Sequence, residues 1–441
     1  MVIFYIYTVK IKLEERGVVM NKFLDSISDK LLPVANKLAS NRYLSILRDA
    51  FMLAFPLTMF GSIVVVICNL PFLNDEMKAL LNELLGSGQS ATMSIMTVFV
   101  TFGIGYYLSK SYDVEGIFGG AISFASFLIL TPFFVTSDSG ETISNVLSLD
   151  RLGAKGMFLG MIVSFIAAEI YSRTSRKGWQ IKMPDSVPPA VAKSFAALIP
   201  AILTLSIFTA INAIVTVGLN TNLHDVIYNI IQVPLVGLGS SIWATLLAIF
   251  FIQFLWFFRL HGQILVNSVM DPVWNTLMFE NLEAYKAGEH LPHIITKPFM
   301  EVFTVGLGGS GMTLAVVIIM AFFLRKKQYR DVGRLALGAG IFNVNEPVIF
   351  GLPIVLNATI LILWVIAPII VTAFNYFVMA IGIVPAPTGV SVPWTVPIFF
   401  SGIIATNSLA GGLLQIVDFI LVGFIWYPFL RMLDKQEDSA L

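Results

Sequence analysis

The chain has 441 residues, 57% hydrophobic and 12% charged, with 27 Lys and Arg against 27 Asp and Glu. Soluble domains run at about a quarter charged, so this composition and a mean hydropathy of +0.84 exclude an ordinary soluble protein and point to a polytopic membrane protein. Balanced charge offers no basic excess for nucleic acid, and Cys68, the single cysteine, excludes an intrachain disulfide and a cysteine zinc site.

Residues 1–19 are too short in their apolar part to span a bilayer and lack a small-residue cleavage site. They are expected to be a non-native leader, with translation starting at Met20. Residues 20–41 read as a net basic amphipathic segment on the cytoplasmic surface. A span needs roughly 20 apolar residues. Nine stretches qualify: 48–70, 92–109, 116–136, 155–172, 194–218, 241–260, 302–324, 355–381 and 398–427.

Basic clusters mark cytoplasmic loops. They lie around Lys22 to Arg48, Arg173 to Lys182, Arg325 to Arg334, and Arg431 with Lys435. With the N-terminus inside, parity demands one more crossing between Arg259 and Glu301. Residues 262–281 supply it, too polar to face lipid but acceptable when buried in protein. The expected fold is therefore an all-α polytopic membrane protein of about ten transmembrane helices, with re-entrant hairpins, amphipathic helices and both termini cytoplasmic.

Two further segments are apolar but broken. Residues 335–353 carry glycines, a proline and a carboxylate and read as a re-entrant hairpin. Residues 383–397 hold four prolines and read as an ordered loop over or into a cavity. Broken segments inside a bundle are where transporters place their sites. The chain thus divides into a scaffold and dimerisation half at 42–218, a join at 219–239, a substrate-binding and translocation half at 240–430, and a cytoplasmic tail at 431–441.

Four constellations carry the polar chemistry. The first is Asn343-Val344-Asn345-Glu346-Pro347, whose carboxylate adjoins a stretch, Pro347 to Val417, without one charged residue. An intramembrane acid costs at least about 2.5–3.5 kcal/mol on insertion scales, so Glu346 is a functional candidate. Asn343 and Asn345 suit sugar hydroxyls. The second is Arg259, His261 and Gln263 with Asn267 and Asp271, at the predicted cytoplasmic end of a span. The third is aromatic: Trp256 and Trp394 offer flat faces for pyranose rings. The fourth is the Pro-rich segment 183–191, a docking face or gate. His224, His290 and His293 fall in predicted extracellular loops. No P-loop motif occurs, which excludes an ATPase subunit of that type.

Four ordered segments resemble the membrane component, enzyme IIC, of the bacterial phosphoenolpyruvate-dependent sugar phosphotransferase system. They are 183–201 (MPDSVPPAVAKSFAALIPA), 260–263 (LHGQ), 343–353 (NVNEPVIFGLP) and 386–397 (APTGVSVPWTVP). The branch they resemble is the lactose/cellobiose/diacetylchitobiose family, across essentially the whole chain from Met20. The resemblance implies a lipid-embedded homodimer in the bacterial cytoplasmic membrane. It implies a disaccharide substrate, β-linked as in diacetylchitobiose or cellobiose, with lactose left open. It also implies separate cytoplasmic partners: IIA, and a IIB whose phosphocysteine phosphorylates the bound sugar. No phosphoryl transfer is expected without IIB, and no cofactor or metal is expected.

Glu346 matches the family's NEP glutamate and His261 its HGQ histidine, both implied to contact the hydroxyl that receives phosphate. Trp256, Arg259, Gln263, Asn267, Asn343, Asn345 and Trp394 are the expected substrate-binding residues. An ion-coupled secondary transporter using Glu346 as its proton site is the alternative from another class, and a membrane enzyme acting alone is a third.

Overall fold

The computed structural model describes Lys37 and residues 40–69, 73–136, 141–184, 186–219, 221–257, 260–352 and 358–435. The expected leader, almost all of the amphipathic segment 20–41, Arg259 and the last residues of the tail lie outside them. The chain is all-α apart from one small antiparallel hairpin, Phe134–Thr136 with Thr142–Ser144.

The first half runs α1 (Arg42–Cys68), α2 (Asp75–Ser90), α3 (Met96–Lys110), α4 (Gly116–Ile129), α5 (Met157–Arg176) and α6 (Pro189–Leu219). Asn41 starts α1 by accepting the Tyr43 and Leu44 N–H groups, and Asn74 starts α2 by accepting that of Met77. Among them α3 is central, packing on α1, α4 and α5. That placement requires small side chains, and α3 buries Thr97, Thr101, Gly103 and Gly105.

The second half begins with α7 (Leu223–Gly239), a segmented helix with a π turn at Tyr228–Gln232, and α8 (Ile242–Phe257), bent by 70° from it. Then come α9 (Gly262–Ala287), α10 (Lys297–Val302), α11 (Leu314–Phe323), α12 (Lys327–Ile341), α13 (Glu346–Gly351), α14 (Ala358–Ala380), α15 (Phe400–Thr406) and α16 (Leu409–Lys435).

Among the described residues, five helices are long and apolar enough to cross a membrane, six with the bent α7–α8 pair counted as one span. The remaining hydrophobic stretches are shorter or broken. Expected span 302–324 is helical only from Leu314, because Gly308, Gly309 and Gly311 adopt φ of +95°, +83° and +80° and turn the chain instead. Expected span 398–427 breaks at Asn407, where φ is +47°. Expected span 116–136 leaves its helix after Ile129. Residues 262–281 do form one continuous helix, and α9 buries Trp274, Leu277, Met278 and Asn281 in protein. Helix α2 had no counterpart among the expected elements.

One hydrophobic core joins residues of α1, α3, α8, α9, α10 and the loop 381–399. A second, within the later chain, gathers Leu307, Trp364 and Trp426 around α11, α12, α13, α14 and α16.

Candidate functional site

His261 is the N-cap of α9, and its Nδ1 accepts the Ile264 N–H at 3.4 Å. That bond places the proton of the neutral ring on Nε2. The Trp256 ring, on α8, packs against the imidazole with ring centroids 4.4 Å apart and planes tilted by 48°. Gly262 makes this corner possible: a Cβ there would overlap the Ile252 carbonyl oxygen of α8. The order Leu260-His261-Gly262-Gln263 is thus a tight α8–α9 turn that presents one imidazole.

The re-entrant hairpin is α12 and α13 joined by 342–345. At its tip Asn343 has φ of +64°, which asparagine tolerates better than branched residues do. Its Oδ1 accepts the Gly308 N–H at 2.8 Å. Its Nδ2 donates to the carbonyls of Trp394 at 2.6 Å and Val396 at 3.1 Å. Asn345 Nδ2 donates to the Ser310 carbonyl at 2.5 Å, and Ser310 Oγ donates to Gln263 Oε1 at 3.1 Å. Three loops are therefore clamped together: the hairpin tip, the glycine turn 306–311 and the Pro-rich loop. The clamp is close enough that a Cβ on Gly309 would meet the Asn343 carbonyl oxygen at 2.6 Å. It leaves Glu346, the first residue of α13, exposed.

The clamp and the α8–α9 turn face one cavity of about 570 Å³, within the range of small-ligand sites. Trp256, His261, Gln263, Asn267, Asn343, Asn345, Glu346 and Trp394 all line it. Glu346 is near enough to act electrostatically on His261. Trp394 is 50% exposed and Trp256 only 7%. The opposite wall comes from α1, through Phe51, Met52, Phe55 and Thr58. The Pro-rich loop closes against that wall, its Ser391 N–H donating to Ser62 Oγ of α1 at 2.8 Å.

A buried ionic group completes the lining. Lys297 Nζ donates to Asp271 Oδ1 at 2.6 Å and Glu301 Oε1 at 2.8 Å. With its amide turned to satisfy both ends, Asn267 accepts from Lys297 at 3.2 Å and donates to the Gln263 carbonyl at 3.2 Å.

A cavity that pairs an exposed carboxylate and imidazole with an accessible indole, at a break in an apolar bundle, suits a hydroxylated ligand rather than a metal. Among the described residues no cluster of His, Cys, Asp and Glu has metal-binding form. Comparison with known proteins then decides the family. The model of the phosphotransferase system EIIC family matches residues 48–368. The chain belongs to that family. The oligo-β-mannoside-specific EIIC component of Bacillus subtilis (strain 168) is 60% identical over 415 residues, covering 93% of this chain and 94% of its own. The cellobiose-specific EIIC component of Geobacillus stearothermophilus is 38% identical, covering 95% and 96%. The crystal structure of ChbC, the IIC component of the N,N'-diacetylchitobiose-specific phosphotransferase system, matches with a TM-score of 0.88 at 38% identity, over 93% of this chain and 98% of that one.

Against this EIIC fold, the residues expected from sequence fall in three groups. His261, Glu346, Gln263 and Trp394 keep polar atoms or a ring face toward the cavity. Asn267, Asn343 and Asn345 line it, but their amides are committed, that of Asn267 to Lys297 and the Gln263 carbonyl and those of Asn343 and Asn345 to backbone, which makes them positioning residues. Trp256 is packed on His261. Arg259 lies outside the described residues. Lys297 and Glu301 were missed. Their signal was available: two charges at i and i+4, flanking Pro298, at the foot of an apolar run. The second partner of Lys297, Asp271, is 26 residues away, a pairing that local pattern does not reveal.

Proposed function

We propose that this chain is the sugar permease subunit of a phosphotransferase complex, and that the cavity holds a β-linked oligosaccharide while a separate IIB protein phosphorylates it. The observation that carries this reading is the common cavity of Glu346, His261 and Trp394 at the meeting point of the hairpin, the α8–α9 turn and the Pro-rich loop. The relative 60% identical to this chain is named for oligo-β-mannosides, which makes β-1,4-mannobiose the first substrate to test, ahead of cellobiose and diacetylchitobiose.

In this reading Trp394 stacks on a sugar ring, and Gln263 joins the hydrogen bonding to its hydroxyls. The His261 Nε2–H donates to the acceptor hydroxyl oxygen, and the Glu346 carboxylate takes its proton as the oxygen attacks phosphorus. The S–P bond of the partner's phosphocysteine breaks, the O–P bond forms, and the thiolate leaves with IIB. Asn343, Asn345 and Trp256 hold these groups in place. The first-half bundle serves as scaffold and dimer contact, in a cytoplasmic membrane with both chain termini inside.

The test is uptake of labelled β-1,4-mannobiose in cells with and without the phosphocarrier protein, alongside phosphorylation by membranes supplemented with a IIB protein. Uptake should require the phosphocarrier, and the sugar should arrive phosphorylated. Accumulation of unmodified sugar that collapses with the proton gradient would instead establish a secondary transporter.

A further inference from the structure

The buried cation of the cavity is arranged so that it cannot serve as a phosphate ligand. An ammonium group has three N–H donors. Those of Lys297 meet Asp271, Glu301 and the Asn267 amide oxygen. Each of the three charged side chains is less than a fifth exposed, so the group stays together out of bulk water. Its formal charge is one positive against two negative, a net of minus one. Glu346 adds another negative charge to the same cavity. Among the described residues the other Lys or Arg on the lining, Arg48, is paired with Asp49 at 2.8 Å and 44% exposed.

We propose that the Lys297–Asp271–Glu301 group is a specificity device that lets the cavity accept a neutral sugar and reject its phosphate ester. The proposal rests on the reading that phosphorylation takes place in this cavity. The reaction converts a neutral hydroxyl into a phosphate that carries nearly two negative charges at neutral pH, while its proton passes to Glu346 and on to solvent. Repulsion from the net negative lining is absent for substrate and appears only with product. A saturated Lys297 has no donor left to offset it. Charges in a low-dielectric cleft act over several ångströms with little screening. Product release is thereby driven by the chemistry itself, and cytoplasmic phosphosugar does not compete for the site.

The experiment measures a ratio of affinities on purified full-length protein. Binding of β-1,4-mannobiose, of its monoanionic sulfate ester and of its phosphate ester at the same primary hydroxyl is compared in the wild type, in Glu301→Gln and in Asp271→Asn. In the wild type, affinity should fall stepwise with ligand charge, several-fold from neutral to monoanion and again to dianion. Each carboxylate-to-amide change should raise the affinity of phosphate ester relative to neutral sugar by roughly tenfold. Equal affinity of the three ligands in wild type overturns the proposal without needing a folded variant. So does an unchanged ratio in variants that still bind mannobiose. Failure of the wild type to bind any β-linked disaccharide would instead sink the reading of function on which it rests.

Discussion

Replacing Asn343 by alanine tests whether the site is held by its clamp. The substitution removes three hydrogen bonds, from Gly308 N–H and to the Trp394 and Val396 carbonyls. Each is worth about 1 kcal/mol net, and the buried groups left behind add about 1–3 kcal/mol apiece where water does not reach them. The backbone adds to this: alanine at φ of +64° costs roughly 1–2 kcal/mol relative to a residue at ease there. The sum is about 4 kcal/mol or more, concentrated on a residue that ties all three loops together. Asn343→Gly isolates the two parts, since it loses the bonds but not the backbone comfort. We expect both variants to melt earlier in detergent, alanine earlier than glycine, and both to lose at least tenfold in sugar affinity. Loss of affinity at an unchanged melting temperature would refute the reasoning, because it would make Asn343 a sugar ligand rather than a clamp. Full affinity in Asn343→Ala would refute it from the other side.

Glu346→Gln should lower the rate of sugar phosphorylation by about a hundredfold, the lower range for losing a general base, while mannobiose affinity falls less; a normal rate with IIB would remove the base role. Trp394→Ala should weaken sugar binding and Trp394→Phe retain part of it, because stacking needs a ring rather than a donor; isothermal titration with β-1,4-mannobiose reads this directly. Gly262→Ala should push α9 off the Ile252 carbonyl and abolish binding even where the protein still reaches the membrane, whereas Gly338→Ala, with open space at its Cβ, should be neutral in the same assay. Single cysteines on exposed faces of residues 92–136, with Cys68 removed, should crosslink between subunits, and crosslinks confined to the second half would overturn the proposed dimer.

Much of the site was legible in the sequence because its residues violate the rule of their surroundings. Glu346 stands beside a long uncharged stretch, and His261 sits at the end of an apolar run; each violation is local and can be read along the chain. The hairpin followed from its glycines and proline, and the α8–α9 turn from the parity of the basic loops. What could not be read was the difference between an apolar helix and an apolar turn. Residues 306–312 (GLGGSGM) lie inside the uncharged apolar stretch 302–324, yet Gly308, Gly309 and Gly311 take left-handed backbone and turn the chain beside the cavity. The amphipathic helix α2 was hidden by its polarity between two spans. Roles were harder than positions. That Asn343 braces loops while Gln263 faces the cavity depends on the Asn343 partners, the Gly308 N–H and the Trp394 and Val396 carbonyls, which belong to residues 35 to 53 positions away.

The clamp has a consequence for energetics. Because the hairpin tip, the glycine turn and the Pro-rich loop are fastened to one another by side-chain amides, they hold one geometry, whereas among the described residues the α1 wall meets that piece through the Ser391–Ser62 hydrogen bond and shared apolar packing. A piece that keeps its own geometry offers a sugar the same contacts whichever way it faces. Equal affinity on both sides shifts no equilibrium between the two orientations. Such a carrier, left without its phosphodonor, equilibrates sugar across the membrane and concentrates nothing. In the proposed complex, accumulation would then come wholly from the conversion of the ligand into a molecule the site no longer holds.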